Sequence, residues 1–299
     1  MMDLMPEIED HIRHNCRMKI YPDGSREVMV SQRAIFLEAG WEEVSDKLDF
    51  NAERFEYEPL EDVERSIFAL ARREAAEVKR AALNLERAKR RARAAVSDLA
   101  LSNDFRYFVT LTLDGSKVNR YDVKEITSKL NAWCDNHVRR KGLKYVLVAE
   151  RHKDGAVHFH GFFNDVLPVS DSGTIAPAGG GKPRRPRSCR EREALLAAGG
   201  HVVYNLPSWT LGFTTAIELY GTRRAAVGYV TKYITKAAEK VGGRWYYSGG
   251  ELRRPAVEYA DVDFDSFSTL ENVGRFTVEA LGCDVVKFTV ESDNIEKSV

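Results

Sequence analysis

Two histidines separated by one bulky apolar residue, His158-Phe159-His160, lie inside a run of strand formers from Val157 to Phe163. Alternate side chains of a strand share a face, so both imidazoles project together, about 7 Å apart along the chain. Neutral imidazole is the commonest protein metal ligand, and two on one rigid strand can share a cation. Further on, Tyr229-Val-Thr-Lys232-Tyr233-Ile-Thr-Lys236 repeats the unit Tyr-x-x-Lys in tandem on an expected helix. Helical residues four apart stack on one face, which puts Tyr229 and Tyr233 on one stripe and Lys232 and Lys236 on the next. A tyrosine hydroxyl titrates near 10 and is a poor nucleophile at neutral pH. A metal-held phosphate and a nearby ammonium would both favour the phenolate as it forms. Two tyrosines on a helix ordinarily pack against a sheet, but the upstream histidine pair turns the reading toward chemistry. That chemistry is metal-assisted attack of a tyrosine on a phosphodiester. A phosphotyrosine link keeps the energy of the cut bond, so a second tyrosine could cut again while the first still holds DNA.

The histidine strand needs a partner to complete a site. Strands over 144–151 and 156–163 flank Lys153-Asp154-Gly155, and a three-residue loop with Gly in the left-handed position is a common hairpin connection. That register sets Arg151 opposite Val157 and Glu150 opposite His158, so Glu150, His158 and His160 share one sheet face. A two-residue loop would turn Glu150 away. His152 has the parity of Glu150 and sits at the turn, where it is the substitute third ligand. One carboxylate and two imidazoles with open positions suit Mg²⁺ or Mn²⁺. The cation would act as a Lewis acid on the scissile phosphate.

The remaining elements follow from periodicity and turn chemistry. Residues 17–21 and 26–30 read as a hairpin around Pro22-Asp23-Gly24-Ser25, and residues 60–100, free of Gly and Pro, as one long helix. A strand is expected over Tyr107–Leu113, a helix over 121–140 and another strand over 212–220. Gly221-Thr222 makes an N-cap for a helix over 223–240, with Arg223 and Arg224 in its first turn as candidate DNA contacts. Weaker strand signals follow at 245–247 and 274–290. Residues 164–200, rich in Gly, Pro, Ser and Arg, read as a long inserted loop. Its Arg184, Arg185 and Arg187 suggest a basic arm lying along DNA. Lys182 is followed by Pro183 rather than Ser or Thr, so this is no Walker phosphate loop, and no nucleotide cofactor or motor is expected. The organisation expected is an N-terminal hairpin and basic helix over 1–100, a catalytic region over 101–240 and an acidic region over 241–299.

The chain of 299 residues has zero formal net charge, but its charges are segregated. Residues 1–65 carry −9, residues 66–254 carry +16 and residues 255–299 carry −7. A basic body between acidic ends is the footprint of a phosphate-backbone binder. The four cysteines, Cys16, Cys134, Cys189 and Cys283, form no Cys-x-x-Cys pair and suit free thiols in a reducing cytoplasm. No apolar run long enough to span a membrane and no signal-peptide pattern is visible, so a cytoplasmic location in a bacterial host is expected.

Taken together these residues resemble the HUH endonucleases, named for their His-hydrophobe-His motif. More narrowly, the chain is similar to the rolling-circle replication initiators of small single-stranded DNA bacteriophages and related plasmids. Phe108-Val-Thr-Leu-Thr112 resembles the first family motif, with Thr110 and Thr112 as candidate DNA contacts. His158 and His160 match the second, and Tyr229, Lys232 and Tyr233 the third, in its two-tyrosine form. The resemblance implies an α+β fold, a central antiparallel sheet flanked by helices (an RRM-like palm), with an N-terminal helical extension. The histidine strand would face the tyrosine helix. It implies a nick in one strand of single-stranded or supercoiled origin DNA, a 5′-phosphotyrosine link, a 3′-hydroxyl for the host polymerase and later rejoining. A host helicase is implied by the missing motor. The rival readings are a two-tyrosine transposase of the same superfamily and a non-catalytic origin-binding regulator.

Overall fold

The computed structural model describes residues 13–37, 63–178, 181–271, 273–278 and 282–291. Its first elements are β1 (Arg13–His14), β2 (Cys16–Ile20), β3 (Arg26–Ser31), β4 (Phe36–Leu37), α1 (Val63–Ser102), β5 (Tyr107–Leu113) and α2 (Val123–Lys141). Then come β6 (Tyr145–Arg151), β7 (Val157–Phe163), β8 (Ser170–Ala176), α3 (Cys189–Ala197), β9 (His201–Asn205) and β10 (Gly212–Glu218). Last are α4 (Arg223–Lys236), β11 (Tyr246–Gly249), β12 (Ala256–Ala260), α5 (Asp265–Ser268), β13 (Gly274–Val278) and β14 (Cys283–Val290). The chain divides into two compact units, Ala69–Arg254 and the combination of Met1–Phe68 with Pro255–Val299.

In the discontinuous unit the expected N-terminal hairpin, β2 with β3, recruits strands from the other end of the chain. The order is β12-β2-β3-β14-β13, antiparallel throughout. A lone hairpin leaves two open edges and an apolar face, and marginal stability is its usual fate. Here β12 and β14 close the edges, and Cys16, Val28 and Val30 are buried with Phe264, Phe267 and Phe288 packed around them. The boundaries expected at residues 100 and 240 therefore do not separate compact units. Residues 246–249 join the larger sheet through β6, while those from Pro255 onward pair with the N-terminal hairpin.

The larger unit is α+β, as expected. Its antiparallel sheet runs β11-β6-β7-β5-β10-β9-β8. Along β5, buried and half-buried residues alternate without a break. Val109, Leu111 and Leu113 point into a core with Leu147 and Phe159, and α2 covers that core with Ile126, Leu130, Trp133 and Cys134. Each large apolar side chain so buried contributes on the order of 1.5–3 kcal/mol. The helix is set by its ends: the Asp122 carboxylate accepts from the N–H groups of Lys124 and Glu125, and Gly142 stops it at φ 68°. On the other face lies α4, whose Thr222 cap accepts from the Ala225 N–H and whose Val227, Val230 and Ile234 are buried. Of α1, only the final turns bury side chains, among them Val96, Leu99 and Leu101.

The long loop expected over 164–200 is instead largely built. It holds β8, which pairs with β9, and α3, capped by the Ser188 side chain. The strand carries little sequence signal because it lies on the sheet edge and buries only Ile175 and Ala176. Its register also shifts between Asp171 and Thr174, at Gly173 with φ 73°, which breaks the alternation. Gly179 and Gly180 of the expected loop lie outside the described residues. The tyrosine helix ends at Lys236, four residues short of the expectation. Among the described residues, no helix is long and apolar enough to cross a membrane.

Candidate active site

The β6–β7 hairpin has the expected register, with Glu150 opposite His158 and Arg151 opposite Val157. His152 N–H donates to the Ala156 carbonyl, leaving the three-residue loop 153–155 with Gly155 at φ 85°. On the other side of β7, Thr112 pairs with His158 and Thr110 with His160. The hydroxyl of Thr110 lies 3.1 Å from Nδ1 of His160, and that of Thr112 lies 3.1 Å from Nδ1 of His158. A hydroxyl both donates and accepts, so each threonine can serve either tautomer of its histidine. The sequence suggests Thr110 and Thr112 as DNA contacts. Their hydroxyls are committed to the histidines, which makes them positioning residues.

With Nδ1 so engaged, each ring turns Nε2 away from the threonine strand. Nε2 of His160 meets Glu150 Oε2 at 2.9 Å. His158 instead lies against His152, ring centroids 3.6 Å apart. Glu150 and His160 are thus brought together, and His158 is paired with the substitute ligand of the expectation. Among the described residues, no three His, Cys, Asp or Glu side chains already converge as a metal cage. The donors nonetheless fit a hard divalent cation: two imidazoles anchored through Nδ1 and one carboxylate supply a mixed nitrogen and oxygen set. His158 is pushed down to about 4, first by burial, then by His152, His160 and Arg120. His160 is also lowered, because burial outweighs the opposing pull of Glu150. Both rings are therefore neutral at pH 7 and keep a lone pair to offer.

The tyrosine helix lies over this strand. Tyr233 stacks flat on His160, with centroids 4.3 Å apart and planes 7° apart. Its hydroxyl donates to that of Tyr229 across 2.8 Å. Tyr229 rests edge-on against Phe108, which itself lies parallel to His160. Tyr229 is 50% exposed. Burial, the Tyr229 hydroxyl and the Glu150 carboxylate together raise Tyr233 above the usual phenol range. Lys232 and Lys236 are exposed on α4, on the stripe beside the tyrosines.

The expected arginine contacts are dispersed. Arg223 donates to the Asn103 carbonyl and pairs with Asp104. Arg184 is ion-paired with Glu191, Arg185 donates to the Ser172 carbonyl at 3.3 Å, and the Arg187 N–H also donates to Glu191. Those three flank β8, four strands from β7, or about 19 Å across the sheet. Arg224 lies half-buried in the first turn of α4. Arg120 joins the site without a sequence signal. It sits in a loop whose backbone carbonyl accepts from the Val157 N–H, and its charge helps keep His158 neutral.

Residues 106–238 match a family model for replication-associated proteins, the ORF2 family, over a stretch from the threonine strand to the end of the tyrosine helix. The match supports a replication-initiator family for this part of the chain. No curated protein and no solved structure matches the chain.

Proposed function

We propose that the protein initiates DNA replication by cutting one strand at an origin, using tyrosine as the nucleophile and storing the cut as a 5′-phosphotyrosine. The observation that carries this reading is the stack of Tyr233 on His160 with Tyr229 hydrogen-bonded beside it. A helix packed on a sheet for stability alone would bury its tyrosines among apolar side chains. Here both hydroxyls are gathered next to a histidine–carboxylate pair, and one tyrosine is open to solvent.

In this reading Tyr229 attacks first. Its exposed hydroxyl can reach a phosphate, and the bond accepted from Tyr233 stabilises the charge that grows on its oxygen. The phenolic oxygen forms a bond to phosphorus as the bond to the 3′-oxygen breaks. The phenol gives up one proton and the departing 3′-oxygen takes one up, so the strand end leaves as a free hydroxyl. Lys232, exposed beside the tyrosines, is placed to balance phosphate charge. Tyr233 remains free for a second cut, after which the 3′-hydroxyl can rejoin the released strand. His158, His160 and Glu150 would hold Mg²⁺ or Mn²⁺, which when bound supplies Lewis-acid polarisation of the phosphate. The threonines keep the imidazoles oriented throughout.

The test is a covalent-adduct assay on single-stranded DNA carrying candidate origin sequence, with Mg²⁺ or Mn²⁺. Wild type should give a protein–DNA adduct on a denaturing gel. Tyr229→Phe should lose most of it, Tyr233→Phe should retain the first cut, and the double variant should give none. Tight DNA binding with no adduct from wild type on any origin-bearing substrate would favour a non-catalytic origin-binding regulator.

A further inference from the structure

On the sheet face that carries the histidines, β10 holds Phe213, which is 69% exposed. Phe213 pairs directly with Thr112 of β5, and Thr112 pairs with His158 of β7. The three side chains form one row across three strands, about 10 Å from end to end. The Thr112 hydroxyl bonded to His158 fixes the side of the sheet on which the row lies. The next row along is Thr215, Thr110 and His160, with Thr215 also exposed. Beyond Phe213, β9 pairs with β10 only at Ala216 and Ile217, so the phenyl ring has an open flank among the described residues.

We infer that Phe213 is a stacking platform for an unpaired base of the DNA strand, close to the phosphate being cut. This rests on the reading of the histidine–tyrosine site as a phosphodiester-cutting centre. A strand whose phosphate reaches Tyr229 and His160 must cross this same face, and the row from His158 leads to Phe213. The setting suits a base better than a protein partner. A single ring among threonine hydroxyls lacks the contiguous apolar area of a protein interface. An unpaired base has two free π-faces, and aromatic stacking takes any base. The surrounding residues 66–254 carry +16, which complements a polyanionic backbone.

The test measures equilibrium binding of a labelled oligothymidylate by fluorescence anisotropy over a range of KCl concentrations. It uses the Tyr229→Phe/Tyr233→Phe protein so that no covalent step intervenes. Adding Phe213→Ala should weaken binding roughly 5- to 100-fold, the range for losing one base–aromatic stack, with the salt slope unchanged. Phe213→Trp should restore affinity and Phe213→Leu should not, with thermal midpoints alike in all variants. Affinity within about twofold in Phe213→Ala, or a loss that Trp fails to rescue, overturns the platform. The adduct assay separates the two readings. If wild type forms an adduct but binding ignores Phe213, the platform falls alone. If binding depends on Phe213 but no adduct forms, the cutting reading falls and the platform stands.

Discussion

The ring of Tyr233 lies 4.3 Å from the ring of His160 and parallel to it, so the candidate nucleophile helix and the candidate metal strand are registered by direct contact. A one-turn slip of α4 would carry Tyr233 off the imidazole. The buried Val230 and Ile234, on either side of Tyr233 in the chain, oppose such a slip.

The threonines of β5 should matter through the histidines. Thr110→Val and Thr112→Val keep shape but remove the hydroxyl beside each Nδ1. Each should lower Mn²⁺ affinity roughly 10- to 100-fold, the usual cost of losing the outer partner of a ligating histidine. Calorimetric titration with Mn²⁺ reads this directly. Unchanged affinity would leave the hydroxyls with no part in metal binding.

Acid should weaken the folded state through His158. Its folded value is about 4, against 6.5 for the free side chain. Below pH 6.5 the unfolded chain takes up a proton that the folded site refuses, so stability falls from pH 6.5 to about 4 and then levels. Above pH 6.5 this residue contributes no slope. His158→Asn should flatten that part of the profile in denaturant unfolding at several pH values. Parallel profiles for the two proteins would contradict the assignment.

Gly161 should not tolerate a side chain. A Cβ there would lie 1.8 Å from the Val146 carbonyl oxygen, inside the β6–β7 pairing that holds Glu150 against the histidine strand. Gly161→Ala should cost several kcal/mol and lower the thermal midpoint by many degrees. A midpoint like that of wild type would mean that the strands can part locally without loss.

Lys232 should act on the rate of cutting. Lys232→Ala should slow adduct formation roughly 100-fold if the ammonium stabilises charge on the phosphate. Lys236→Ala, one helical turn further on, serves as the comparison. Single-turnover time courses on a gel separate the two, and an unchanged rate for Lys232→Ala would assign it to solvent.

Local signals determined much of this protein from sequence alone. A turn residue suited to φ 85° at Gly155, followed by period-two alternation, is enough to put Glu150 across from His158. Spacing by four is enough to put Tyr229 and Tyr233 on one helical face. Both depend on neighbours within about ten residues, where backbone geometry dictates side-chain direction. Which strand lies beside which is another matter, because any alternating strand can pair with any other. Only the tertiary structure put β5 beside β7, so that two threonines almost fifty residues away hold the histidines. The same choice of partner brought Phe213 into their row, and it joined strands from opposite ends of the chain in one sheet, where Cys16 pairs with Ala260. Edge strands such as β8 are illegible for a related reason: with one neighbour and little burial, their sequence carries almost no apolar period.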